Sequence, residues 1–291
     1  LKKKSQGLVV AAFGRQYEVE LADGAVALCY TRGKKSNVAC GDRVAVQLNA
    51  PGQGVIDSIG TRDTLLYRSD AFREKLFAAN ATQALVVVAA EPGFSDELVT
   101  RCIVAAEQQR LRAVIVLNKT DLTDKAAAAR AQLAPFRALG YTVVELSAKQ
   151  DADVLRPLLA GQTSVLVGQS GMGKSTLINA LLPEARAATR EISEALDSGK
   201  HTTTHTRLYR LDAGSALIDS PGMQEFGLSH LTRAELEQGF VEFHPYLDKC
   251  RFRDCHHDRE PDCALRAAVE AGKISPRRLV LFHSLCASIG K

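Results

Sequence analysis

Gly168-Gln169-Ser170-Gly171-Met172-Gly173-Lys174-Ser175 follows the apolar run Ser164 to Val167 and precedes a helical run from Thr176 to Leu182. The pattern G-x-x-x-x-G-K-[ST] needs this strand, loop and helix context. Its glycines let successive backbone N–H groups wrap a phosphate at a helix N-terminus, its lysine neutralises phosphate charge, and its hydroxyl binds Mg²⁺. At ordinary residue frequencies a chance match somewhere in such a chain has a probability of about 1%. The stretch predicts a nucleoside-triphosphate site on an α/β sheet, with Gly168, Gln169, Ser170, Gly171, Met172, Gly173, Lys174, Ser175 and Thr176 around the phosphates.

Upstream, Asn118-Lys119-Thr120-Asp121 ends the apolar run Ala113 to Leu117, and Ser147-Ala148-Lys149 ends the run Thr142 to Leu146. A carboxylate at Asp121 can accept from both N1–H and the 2-amino group of guanine, which adenine does not offer, and Ser147 with Ala148 suits support of the guanine O6. Downstream, Asp219-Ser220-Pro221-Gly222 closes the run Ala216 to Ile218, where Asp219 can hold Mg²⁺ and the Gly222 N–H can meet a γ-phosphate. In ordinary GTPases the phosphate loop comes first and the guanine motif last, whereas here Asn118 and Ser147 precede Gly168. A circular permutation keeps the contacts because it only reconnects neighbouring termini.

Between the phosphate loop and Asp219 lies Gly199-Lys200-His201-Thr202-Thr203-Thr204-His205, too polar for a core. One threonine there is expected to close Mg²⁺ and γ-phosphate, and Thr203 is preferred. After Gly222 the position of a water-orienting glutamine holds Met223, whose thioether cannot orient a nucleophile. Intrinsic hydrolysis is therefore expected to be slow. His201 is the candidate catalytic group, with Gln224, one position late, as the alternative.

From Ala84 onward, apolar runs buried on both faces alternate with helical stretches at Ser95 to Gln109 and Asp124 to Leu139, which predicts a mostly parallel sheet. In front of it, five short alternating runs (Leu8 to Phe13, Gln16 to Leu21, Ala25 to Thr31, Arg43 to Leu48, Val55 to Ile59) with turn residues between them predict a small closed barrel. Its loops carry Arg32, Lys34, Lys35 and Arg43, which suit either an oligonucleotide or a solvated surface. Behind the sheet, strand-like runs give out after Gly227, and the last sixty or so residues read as helices around Cys250, Cys255, His257 and Cys263. Three thiols and one imidazole fit a closed tetrahedral zinc site of structural type, with His256 as an alternative ligand. The expected divisions are 1–63, 64–230 and 231–291.

The 291 residues are 46% hydrophobic and 24% charged, which excludes a disordered or collagen-like chain. No apolar run approaches the ~18 residues of a membrane span, and Leu1-Lys2-Lys3-Lys4-Ser5 leads into no signal segment. A cytoplasmic monomer without membrane association is expected. Seven cysteines, an odd number, argue for a metal site over a disulfide framework. The net charge of +4 is compatible with a nucleic-acid partner without requiring one.

The permuted order of these motifs, with the barrel in front and the Cys/Cys/His/Cys cluster behind, resembles the ribosome small-subunit-dependent GTPase A family (RsgA/YjeQ) over nearly the whole chain. The resemblance implies an N-terminal OB-fold, a circularly permuted α/β P-loop GTPase domain and a C-terminal helical zinc domain. It also implies late maturation of the small ribosomal subunit, contact with its rRNA, and GTP hydrolysis stimulated by that subunit. It assigns GTP to Asn118 through Asp121 and Gly168 through Thr176, and zinc to Cys250, Cys255, His257 and Cys263; Met223 agrees with the apolar residue that the family carries there. Two other classes are open at this point: an RNA-binding adaptor that binds nucleotide without turnover, and a small-molecule kinase, which the guanine motif disfavours.

Overall fold

The computed structural model describes residues 4–33, 37–69, 74–182, 206–219 and 228–289. Five strands open the chain: β1 (Lys4–Phe13), β2 (Gln16–Leu21), β3 (Val26–Thr31), β4 (Arg43–Ala50) and β5 (Gln53–Ile59). They close a barrel, because β1 pairs with both β2 and β4, β3 runs beside β2 and β5, and β5 returns to β4. Alternation fills it: Val9, Tyr17, Val19, Cys29, Val44, Val46 and Ile56 point inward and are buried.

A hairpin of β6 (Leu65–Ser69) and β7 (Glu74–Ala79) follows the barrel. The joint is tight. Asp42 is fully buried and accepts two hydrogen bonds from Arg62 and one from the Ala39 N–H, each at 2.7 Å. Gly41 has φ +91°, and a Cβ there would stand 2.2 Å from the Ala79 carbonyl oxygen, so only glycine fits.

Then come β8 (Gln83–Ala89), α1 (Asp96–Gln108), β9 (Arg112–Asn118), α2 (Thr123–Ala138), β10 (Thr142–Glu145), a 3₁₀ turn with α3 (Arg156–Leu159), β11 (Thr163–Val167), α4 (Lys174–Leu181), β12 (Thr206–Arg210) and β13 (Ala216–Asp219). The order across this sheet is β10-β9-β8-β11-β13-β12, parallel except for β12. Alternate residues feed two layers: Val86, Val88, Ile115 and Leu117 pack with α1 and α2, whereas Leu85, Val87, Val114 and Val116 pack with Leu159, Leu177 and Leu181. α1 starts where Ser95 Oγ accepts from the Leu98 N–H at 3.1 Å, with Asp96 and Glu97 in the first turn.

The expected strands are present, with ends moved by at most four residues. The sequence reading missed the hairpin β6–β7, the 3₁₀ turn with α3, and strand β12. β12 also changes the architecture, because its N-terminal half pairs with the second half of β1 (Ala11 opposite Arg207, Ala12 opposite Thr206), making barrel and central strands one eleven-stranded sheet. Arg207 pairs with Glu18 at 2.9 Å and Arg210 with Glu20 at 2.8 Å across this seam.

The C-terminal region contains helices Arg233–Gln238, Ala264–Glu270 and Pro276–Cys286 and a 3₁₀ turn Val241–Tyr246. Thr232 and Glu235 form a capping box on the first helix. Phe240 stacks on Phe243 at 4.8 Å, and Phe282 meets both edge-on at 5.6 and 5.5 Å. No helix among the described residues is long and apolar enough to cross a membrane.

Candidate functional site

Parallel strands β8, β9, β11 and β13 bring their C-terminal ends to one crevice, where ligands of open α/β sheets bind. The phosphate-loop sequence leaves β11 there. At Gly168 a Cβ would stand 2.2 Å from the Val87 carbonyl, and Gly173, at φ +88°, begins α4 where a Cβ would stand 2.3 Å from Asn118 Nδ2. The glycine pattern thus answers to packing as well as to ligand. Asp219 ends β13 beside Leu166. Lys174 folds over its own loop and donates to the Gly168 and Gln169 carbonyls, the latter at 2.8 Å. Burial pushes its pKa down, with Asp219 opposing the shift.

Asn118 ties three segments together. Its Nδ2 donates to the Met172 carbonyl at 2.9 Å, and its Oδ1 accepts from Lys119 N at 2.8 Å and Ala148 N at 2.9 Å. Lys119 donates through Nζ to the Gly171 and Glu91 carbonyls at 2.7 and 2.8 Å. Its backbone has φ +59°, which turns the loop at the end of β9. Next to this junction is a cavity of about 260 Å³ lined by Asn118, Lys119, Asp121, Ser147, Ala148, Lys149, Gly173 and Thr176, among others. The buried Ser147 hydroxyl has no hydrogen-bond partner among the described residues. Of the residues expected near the γ-phosphate, His201, Thr203 and Gly222 lie outside the described residues, as do Met223, Gln224, Lys34 and Lys35. The described barrel cations are engaged: Arg32 with Gln47 at 2.9 Å, and Arg43 with Asp63 at 3.2 Å.

The second centre lies in the C-terminal region. The ligand atoms of Cys250, Cys255, His257 and Cys263 all lie within 4.8 Å of one another. His257 Nδ1 is 3.5 Å from Cys250 Sγ and 3.3 Å from Cys263 Sγ, and the two sulfurs are 3.9 Å apart. Tetrahedral zinc, with bonds of about 2.3 Å to sulfur and about 2.0 Å to nitrogen, has ligand–ligand edges of about 3.5–3.8 Å, so these residues fit a small tetrahedral cation. His256 is not in the group. Burial pushes the Cys255 thiol up to about 12. Cys263 is also opposed by burial, yet the Arg266 N–H and the hydrogen bonds from His257, Cys255 and Cys250 bring its pKa below the ordinary thiol value. On the far side of the imidazole, His257 Nε2 lies 3.3 Å from Glu237 Oε1, a contact absent from the sequence reading.

The strand order, the reordered motifs and the loop between β11 and α4 define the chain as a circularly permuted P-loop GTPase with an N-terminal barrel and a C-terminal Cys/His cluster that can hold a metal. Residues 59–229 match the RsgA GTPase family. A protein of Burkholderia pseudomallei (strain 668) named small ribosomal subunit biogenesis GTPase RsgA is 56% identical over 97% of this chain and 92% of its own length. One of the same name from Nitrosospira multiformis is 54% identical over 98% of this chain and 91% of its own length. The crystal structure of YjeQ from Thermotoga maritima superposes with a TM-score of 0.77 at 30% identity, covering 99% of this chain and all of the other. YloQ, described as a circularly permuted GTPase, superposes at 0.72 and 27%, covering 99% and 95%. The chain belongs to the RsgA GTPase family.

Proposed function

We propose that this GTPase acts late in maturation of the small ribosomal subunit, contacts the subunit's rRNA through its barrel and C-terminal region, and hydrolyses GTP faster when the subunit is bound. Family membership makes the reaction GTP hydrolysis to GDP and phosphate. The observation that carries the nucleotide assignment is the Asn118 junction, which fastens the Ser147–Ala148 loop to the phosphate loop beside a cavity holding a buried serine hydroxyl without a partner among the described residues. The name carried by the relatives supports the ribosomal part.

In this reading Asp121 accepts from guanine N1–H and the 2-amino group, Ser147 and Ala148 support O6, and Lys119 and Thr120 hold the loop that presents Asp121. Lys174 leaves the carbonyls of its own loop for the β- and γ-phosphates, and the N–H groups from Gly168 through Thr176 take the remaining phosphate oxygens. Ser175, Thr203 and Asp219 hold Mg²⁺, which when bound offsets charge on the β- and γ-phosphates. Thr203 and Gly222 close on the γ-phosphate, and His201 positions the attacking water, a task Met223 cannot perform. Cys250, Cys255, His257 and Cys263 bind one structural zinc. The divisions of labour are 1–63 for the barrel, 64–230 for the nucleotide and 231–291 for the metal, in a cytoplasmic monomer.

Asp121→Asn tests the assignment. Loss of charged hydrogen bonds worth about 1.5–3 kcal/mol weakens GTP binding by roughly 10–100-fold. Xanthosine triphosphate, which presents an oxygen at the 2-position, binds better to the variant than to the original chain. Unchanged GTP affinity in direct titration overturns the assignment of this motif.

A further inference from the structure

His257 has two ring nitrogens, and the structure gives each a different neighbour. Nδ1 faces Cys250 and Cys263, while Nε2 lies 3.3 Å from Glu237 Oε1. The residue is 5% exposed, and its backbone takes a left-handed φ of +60°, so the surrounding fold holds it in place. Glu237 belongs neither to the metal loop nor to the nucleotide site. It comes from helix Arg233–Gln238, twenty residues earlier, with its side chain 17% exposed and Arg233 Nε 3.5 Å from the same oxygen.

An imidazole that ligates a cation through Nδ1 must carry its proton on Nε2, and a carboxylate there accepts it, fixing tautomer and ring plane and raising ligand basicity. We infer that Glu237 is a positioning residue for the metal: it accepts the Nε2–H of His257 and so holds Nδ1 toward the three thiolates. The inference rests on the reading of Cys250, Cys255, His257 and Cys263 as metal ligands. It has a mechanical consequence. The metal loop is fastened through Glu237 to the helix by which the chain enters the C-terminal region, and Arg233 of that helix also donates to the His256 carbonyl. Metal occupancy and the placement of that helix are therefore coupled.

The test uses the full chain purified with its metal, alongside Glu237→Ala and Glu237→Gln. Gln is isosteric and keeps an acceptor without charge, so it guards against a folding failure of the alanine variant. Competition with a chromophoric chelator reads affinity, and the ligand-field bands of the cobalt-substituted proteins read the geometry at the metal. The expected result is a loss of about 10–100-fold in metal affinity for Glu237→Ala, a smaller loss for Glu237→Gln, shifted cobalt bands in Glu237→Ala, and unchanged GTP affinity in both. A purely structural role for Glu237 would leave the cobalt bands in place. Affinity and bands unchanged in both variants overturn the role of Glu237 while leaving the metal site standing. An unsubstituted chain that binds neither zinc nor cobalt overturns both.

Discussion

Along the β1–β12 edge the barrel meets the central sheet through two residue pairs and the partly exposed pairs Glu18–Arg207 and Glu20–Arg210, beside the buried joint at Cys40 and Asp42. The C-terminal region meets the same sheet's helices through a buried apolar seam: Phe240, Phe243 and Phe282 pack in one core with Val104 and Phe136. Arg278, 3% exposed, lies within that seam, with its guanidinium 4.5 Å from the Phe240 ring, a hydrogen bond of 2.8 Å to Thr100 and an ion pair to Glu242. Surface ion pairs contribute little and are screened by salt, whereas buried aromatic packing is worth several kcal/mol per side chain. The contrast implies that the ion pairs at the β1–β12 edge contribute less to stability than the apolar seam of the C-terminal region, which moves with α1 or not at all.

The strongest way to break this contrast is Phe282→Ala. Truncating a fully buried ring costs about 3–5 kcal/mol, and since Phe282 also lies 6.1 Å from the His257 ring, metal retention should fall with it. Denaturant unfolding that registers less than about 1 kcal/mol would show that the apolar seam does not hold the region.

Arg278→Met is next. Removing one partner of a buried pair leaves Glu242 uncompensated at roughly 3 kcal/mol, whereas the double change Arg278→Met with Glu242→Leu should recover most of that loss. A double variant as unstable as the single one would mean that the guanidinium, not its charge balance, matters at this seam.

The smallest effect is expected at the barrel. Glu18→Gln and Glu20→Gln should each cost less than about 1 kcal/mol, and the difference should shrink further at high salt. A loss of several kcal/mol that persists in high salt would make the two seams alike.

The same contrast explains what could be read from the sequence. The junction of Asn118 with the phosphate loop was legible because its motif residues stand at fixed local spacing, and crowding at Gly168 and Gly173 permits nothing larger. The barrel strands were legible from alternation. Strand β12 was not, since Thr206-Arg207-Leu208-Tyr209-Arg210 reads as polar, and its arginines find their carboxylates almost two hundred residues earlier. Arg278 reads as a surface charge beside Arg277 and becomes buried only through rings from other segments. Glu237 carries no local signal, because its partner lies twenty residues further along the chain.

Coupling to the ribosome is the central claim, and steady-state phosphate release from GTP tests it most directly. The full chain is assayed alone, with saturating small ribosomal subunits and with saturating large subunits. Slow release alone and with large subunits, and faster release with small subunits that declines as salt rises, is the predicted result. Equal rates under all three conditions would contradict it.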